Sequence, residues 1–379
     1  MKIEPERRQL RILHLPDLVG GHPTALSRGE QALGAHSRVL SYAPSPFGYH
    51  SDVTLATQDK GALRRWSERF AAFMKLRNKF DVFHFNFGRS LLTANSGWPL
   101  LLDLPFYPSD AMKVMTFQGS DARHAYDSSL QLSMDAEVRL GNDIGRFGDA
   151  RALAQKDLVR RRTIEKAARH CDRLIALNPD LLEALPKEIS TFMPYAIEAP
   201  AMGAPQDRVA RNQANRPLHF VHLSTNRLLK GTGLIEAALH RARDELGITY
   251  EIIFRQDRNR ALAGLNAADV FVDQVVIGWY GAAAVEALYL GKPAITYISE
   301  RQEALAPPAL SLSLPFIRTE CRQLFETFRA VVKDRDLLAA AAAKSTAFAQ
   351  HWHLPETAAA LSMKLYGQIR RDHERMPNI

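Results

Sequence analysis

The chain has 379 residues, enough for two or three domains, and is 46% hydrophobic and 24% charged. That balance excludes a disordered, collagenous or disulfide-stapled protein. The 49 Lys and Arg residues against 41 Asp and Glu leave a net charge of +8, which permits an anionic partner without requiring a nucleic acid.

In chain order, residues 10–15 form an apolar strand signal that ends in the turn Pro16-Asp-Leu-Val-Gly-Gly21. A helical stretch follows at 24–33, then an apolar segment at 37–42. Gly20 and Gly21 sit where strand gives way to helix. Glycines there let a backbone approach a ligand closely and leave helix amides free for an anion. The rhythm continues with a helix at 62–79, strands at 81–85 and 112–117, a charged helix at 150–170 and a strand at 173–177. Asn178-Pro179-Asp180 starts the next helix. Residues 199–217 lack periodicity and are rich in Ala, Pro, Asn and Arg, as a linker is.

After the linker the alternation restarts. Strands are expected at 218–223, 250–254, 270–273 and 293–298, with helices at 231–243, 261–268 and 282–290. From Cys321 onward the pattern is mostly helical. Strands alternating with helices predict two α/β, Rossmann-like, doubly wound domains with a cleft between them, ligands binding beyond the carboxyl ends of the strands. The two cysteines, Cys171 and Cys321, lie far apart without a CxxC, so a thiolate zinc site is excluded. Reduced thiols suit a cytoplasmic protein. The N-terminal segment lacks an apolar signal core, and no apolar run reaches the ~18 residues of a membrane span.

The segment His222-Leu-Ser-Thr-Asn-Arg-Leu-Leu-Lys-Gly-Thr232 leaves a strand and opens a helix. Arg227 and Lys230, three apart, could converge on one anion, with the amides after Gly231 favouring negative charge. A surface turn with two solvated cations would read the same way. Neither a Walker loop nor a GxGxxG is present. Further on, a strand ends at Asp273, a glycine-containing loop follows, and a short helix carries Glu286 in an apolar setting. A carboxylate there needs a partner: a ligand's hydroxyl pair, such as a ribose, or a structural hydrogen bond.

These pieces, in this order, resemble the GT-B glycosyltransferases, particularly the family-4-like members (glycosyl transferases group 1), over nearly the whole chain. The resemblance implies a GT-B architecture. An N-terminal acceptor domain would span 1–198, a linker 199–217 and a donor domain 218–355. A helix from 356–379 would cross back to the first domain. It implies that Arg227, Lys230 and Gly231, with the amides of Gly281 and Ala282 and the turn at Gly21, grip the donor diphosphate. Gly281 to Glu286, followed by Ala-Leu-Tyr-Leu-Gly-Lys-Pro, matches the family's EAxxxGxP signature, which gives Glu286 the nucleotide ribose. Arg255 and Gln256 fall where the base is seated. Two departures stand out. The family's second glutamate, eight residues before the ribose one, is Gly278 here, with Asp273 and Gln274 as nearby polar substitutes beside the donor sugar. The family's histidine after the 112–117 strand is Gln118 here.

Glycosyl transfer from a nucleoside-diphosphate sugar needs cations and amide dipoles on the leaving group. Arg227, Lys230 and the helix-start amides supply them with no metal and no further cofactor. The one Asp-x-Asp, Asp334-Arg-Asp336, opens a helix where Asp334 suits an N-cap. An inverting enzyme needs a general base, for which Asp17, Asp121 and His22 are candidates, with Gln118 and Asp121 in the strand-end segment; a retaining one, the family's usual outcome, does without. His84 could line the cleft or be a satisfied strand-end histidine.

Residues 60–79 hold seven basic residues and one acidic, with Trp66, Phe70, Phe73 and Met74 at helical spacing. Such a helix either packs its apolar stripe on the sheet or lies on an anionic membrane, placing the protein at the inner membrane face near a lipid-linked acceptor. Residues 156–173, with seven basic and three acidic residues, suit a solvated face. The expected partners are a nucleotide-sugar donor and a glycan, lipid-linked or small-molecule acceptor. The same pocket would serve a nucleotide-sugar epimerase or hydrolase. The missing second glutamate supports a nonenzymatic nucleotide-sugar-binding protein, while the lack of an aromatic stacking platform weakens a nucleic-acid-binding one.

Overall fold

The computed structural model describes residues 9–94, 100–123, 150–200 and 216–375. The chain divides into two compact units. One gathers Met1–Arg123, Asp157–Ala196 and Pro355–Ile379; the other gathers His124–Lys156 and Ile197–Leu354. Among the described residues, no helix is long and apolar enough to cross a membrane.

The first unit holds a seven-stranded, wholly parallel sheet. Its strands are β1 (Arg11–Leu15), β2 (His36–Ser41), β3 (Val53–Thr54), β4 (Val82–Asn86), β5 (Met112–Phe117), β6 (Arg173–Ala176) and β7 (Ser190–Phe192). They lie in the order β3-β2-β1-β4-β5-β6-β7. Every residue of β4 is buried, as a parallel strand covered on both faces must be. Leu13, Leu15, Phe83, Phe85, Met115, Phe117 and Leu174 form the core. Helix His22–Ala32 packs against the last helix, Pro355–Arg375. The approach is so close that a Cβ on Gly29 would lie 2.0 Å from the Pro355 carbonyl oxygen, so only glycine fits there.

The second unit holds a five-stranded parallel sheet of β8 (His219–Ser224), β9 (Thr249–Phe254), β10 (Val270–Val272), β11 (Ala294–Thr296) and β12 (Ile317–Arg318). The order is β12-β11-β10-β8-β9. Phe220, Ile235, Leu239, Val270, Val272 and Phe328 fill its core.

The two parallel sheets match the α/β class expected from the alternating pattern. Details differ. The helix expected at 231–243 is Thr232–Leu246, preceded by a single turn, Arg227–Lys230. Asn226 caps that turn by accepting the Leu229 N–H at 3.2 Å, and Gly231, at φ +70°, separates the two. Asn178-Pro179-Asp180 opens only a 3-10 turn, Pro179–Glu183. β3, β7 and β12 were not expected, because the two or three residues of each, Val-Thr, Ser-Thr-Phe and Ile-Arg, form no apolar run. Most of the expected linker, 201–215, lies outside the described residues.

Candidate functional site

In the second unit the strand order reverses between β8 and β10. Doubly wound sheets take ligands at such a switch point, beyond the strands' carboxyl ends. The segment leaving β8 carries Lys230, and the segment leaving β10 begins with Asp273. Their side chains form an ion pair in which the carboxylate is fully buried and the lysine 16% exposed. Asp273 also accepts the Gly281 N–H at 2.8 Å. Gly281 is the N-cap of helix Ala282–Tyr289. A Cβ on Gly281 would stand 3.1 Å from Lys230 Nζ, so the ammonium lies at that helix's N-terminus. The fold thus gathers Lys230, Gly231, Asp273, Gly281 and Ala282 around one partly open cation. Gly231 is forced: a Cβ there would meet Val275 at 2.6 Å.

One turn along the same helix, Glu286 is 8% exposed. Burial pushes its carboxyl pKa up, while the Arg258 guanidinium, donating at 3.2 Å, pulls it down. Arg258 opens helix Arg258–Ala267, which Asp257 caps by accepting the Arg260 N–H at 2.9 Å. Sequence reasoning missed Arg258, because nothing in the local pattern ties it to a carboxylate 28 positions away.

Other expected site residues are placed differently. Arg227 does not converge with Lys230. It pairs with Glu236 at 2.6 Å on an exposed flank, each cation of the turn having its own carboxylate. Arg255, at φ +48°, and Gln256 are exposed after β9, where they donate to the Thr225 and Phe254 carbonyls at 3.1 and 3.4 Å. Asp273 and Gln274 are expected beside the donor sugar, yet their polar atoms serve the protein itself. Gln274 Oε1 accepts the Val276 and Ile277 amides at 2.8 and 2.6 Å, and its Nε2 donates to the Tyr297 carbonyl at 2.6 Å. Gly278, at φ +85°, leaves a Cβ only 2.9 Å from Ser299 and Gln302. The glutamate of the family pattern has no room there.

In the first unit the strand order reverses between β1 and β4. Asp17, beyond β1, pairs with Arg89, beyond β4, at 2.9 Å. Gly20 and Gly21 both adopt positive φ. The space above Gly21 belongs to the Tyr49 ring, 2.4 Å from an added Cβ. His22 is buried, and its Nδ1 accepts the Ala196 N–H at 2.9 Å. Asp121 accepts the amides of Gln118 and Gly119 at 3.0 and 2.7 Å. Burial nonetheless raises its pKa to about 6. The Gln118 side chain is 5% exposed, and neither its Oε1 nor its Nε2 has a hydrogen-bond partner among the described residues.

His84 is a satisfied histidine, though at the middle of β4 rather than at its end. Its Nδ1 donates to the Tyr366 hydroxyl at 2.7 Å, and its Nε2 accepts from Thr116 at 2.6 Å. Burial drives its pKa well down. His14, Glu30 and His84 converge closely enough to suit a metal ion. The carboxylate is already taken up: Glu30 accepts from His14, Ser37, Ser362 and Tyr366 at 2.8, 2.7, 2.8 and 3.1 Å, while His14 Nδ1 has no hydrogen-bond partner among the described residues. Asp334 caps its helix, accepting the Asp336 and Leu337 amides at 3.0 and 3.1 Å.

No protein-family model and no curated protein sequence matches the chain. Solved structures do. Sucrose-phosphate synthase from Thermosynechococcus elongatus superposes at a TM-score of 0.63 and 15% identity, over 96% of this chain and 100% of that one. Anabaena HepE in complex with UDP-glucose does so at 0.60 and 14%, over 95% and 100%. The catalytic domain of starch synthase IV from Arabidopsis thaliana, bound to ADP and acarbose, gives 0.59 and 11%, over 96% and 100%. With two parallel Rossmann-like sheets and these likenesses along nearly its full length, the chain has the fold of the GT-B glycosyltransferases.

Proposed function

We propose that this protein is a glycosyltransferase. It moves a sugar from a nucleoside-diphosphate sugar to a hydroxyl of a glycan, lipid-linked or small-molecule acceptor, with retention at the anomeric carbon and without a metal. The observation that carries this reading is the Lys230 ammonium at the N-terminus of helix Ala282–Tyr289, at the switch point of the second sheet. Charge that develops on a departing diphosphate is stabilised by a preorganised cation and by free helix-start amides. Lys230 supplies the first, and Ala282 and its neighbours supply the second. Asp273 fixes the lysine and the Gly281 amide before the donor arrives. Glu286 takes the ribose hydroxyls, with Arg258 as its counter-ion. The first unit binds the acceptor, with Asp17, Gln118 and Asp121 beyond the ends of its strands. Two similar structures, HepE with UDP-glucose and starch synthase IV with ADP, support a nucleotide at such a site.

The test is thermal unfolding against UDP, GDP, ADP, CMP and TDP. A nucleotide at about a hundred times its Kd adds ~2.7 kcal/mol of stability. One base is expected to stand out, with the shift lost in both Lys230→Ala and Glu286→Ala. Silence toward every nucleotide at millimolar concentration would sink the reading.

A further inference from the structure

The helix Ala62–Leu76 turns one face inward and leaves a second apolar face outward. Phe73 is buried, and Tyr107 packs edge-on against it at 5.2 Å. Arg69 is also turned in, its guanidinium 3.7 Å from the centre of the Tyr42 ring and donating to the Thr93 carbonyl at 3.1 Å. These contacts anchor the helix and satisfy its inner side. Yet Leu63 is 87%, Phe70 53% and Met74 52% exposed. At 3.6 residues per turn these three positions fall within an arc of about 40°. Three large apolar side chains exposed along one side of a helix are not what solvent alone selects.

The charge around that line has one sign. Arg64 and Lys75 flank it on the helix, and Arg77 and Lys79 follow. The only acid of the segment, Glu68, is taken up by Lys60 and by Arg64 at 3.0 Å. An apolar stripe bordered by cations matches a surface whose interior is hydrocarbon and whose headgroups are anionic.

We propose that Ala62–Leu76 is a membrane-docking helix. Leu63, Phe70 and Met74 enter the headgroup–acyl boundary of an anionic bilayer, while Arg64, Lys75, Arg77 and Lys79 engage lipid phosphates. The helix lies in the interface plane. This proposal does not depend on the donor site, and its failure would leave nucleotide binding untouched.

The test is co-sedimentation of the full chain with vesicles of phosphatidylcholine mixed with phosphatidylglycerol, against phosphatidylcholine alone. The wild type should sediment with the mixed vesicles and be released by high salt. The triple variant Leu63→Ser/Phe70→Ser/Met74→Ser should lose at least ~10-fold in partitioning, since each side chain forfeits its buried apolar area. Lys75→Glu/Lys79→Glu should lose a comparable factor through charge. All five positions are exposed, so melting temperatures should stay at the wild-type value and confirm folding. Equal sedimentation of wild type and triple variant, or equal binding to phosphatidylcholine alone, would overturn the proposal. So would a wild-type dimer in solution that the triple variant turns into a monomer, because a second copy would then be the occupant.

Discussion

Each unit buries a carboxylate beside a basic side chain, and the two arrangements differ in what they leave over. In the first, Glu30 has no exposure and takes four hydrogen bonds, all from the protein. In the second, Asp273 is as deeply buried, but the cation it holds is 16% exposed and stands at a helix N-terminus. A charge satisfied on every side is architecture, because a ligand could reach it only by breaking bonds already made. A cation held by one carboxylate and open on the other side can still take up an anion. Convergence of ionisable residues is therefore a weaker sign of a site than convergence with something unspent.

The largest effect that could break this contrast is Glu30→Ala. Removing one member of a buried charged network strands the others, at a cost of about 3–5 kcal/mol. Urea unfolding should show a loss of that order, and nucleotide binding by the surviving folded fraction should be unchanged. A change in affinity alone would mean that the first network belongs to the site.

Asp273→Asn sharpens the other half. The amide oxygen can still accept the Gly281 N–H, but the charge that fixes Lys230 is gone. Nucleoside-diphosphate binding, measured by calorimetry, should weaken about tenfold, or ~1.4 kcal/mol. Tighter binding would mean that the carboxylate competes with phosphate rather than presenting the lysine to it.

The smallest expected effect is in pH dependence, where Asp121 and His222 should act with opposite signs. Burial raises the Asp121 pKa from 3.8 to about 6. The native state then binds more protons than the unfolded one across that window, so this group's contribution to stability falls as pH rises through it. Burial lowers the His222 pKa from 6.5 to about 4, while its Nδ1 donates to the Val272 carbonyl and its Nε2 accepts from Thr232, at 2.8 and 2.9 Å. The unfolded state now binds more protons, so stability is lost as pH falls from 6.5 toward 4. Asp121→Asn and His222→Gln should each remove one slope, of ~1 kcal/mol per pH unit or less, read from urea midpoints between pH 4 and 6.5.

Much of the fold was legible in the sequence, because buried parallel strands such as Val82–Asn86 and Phe220–Leu223 read as short runs rich in large apolar residues, bounded by turns. Lys230, Asp273 and Gly281 stood out in the sequence beside a strand end or a helix start, and Glu286 as a carboxylate in an apolar helix. Their mutual roles were not. Arg258 and Glu286 sit on separate helices, and Glu30 meets Ser362 and Tyr366 across 332 and 336 positions. Local patterns carry no trace of such pairings, since only the folded chain brings them within bonding distance. The same holds for the outward line of Leu63, Phe70 and Met74. A periodic pattern announces an amphipathic helix but not which of its apolar residues will find the core.

The tight seat of Pro355 on Gly29 has a consequence for how the molecule is made. The second unit's sheet is encoded without interruption, from His219 to Arg318. The first unit's sheet precedes it in the chain, yet that unit is completed only when Pro355–Arg375 emerges from the ribosome. Until then Glu30 lacks its two partners from that helix. The half whose strands are translated first is therefore the one closed last, after the whole of its neighbour to Leu354 has been made.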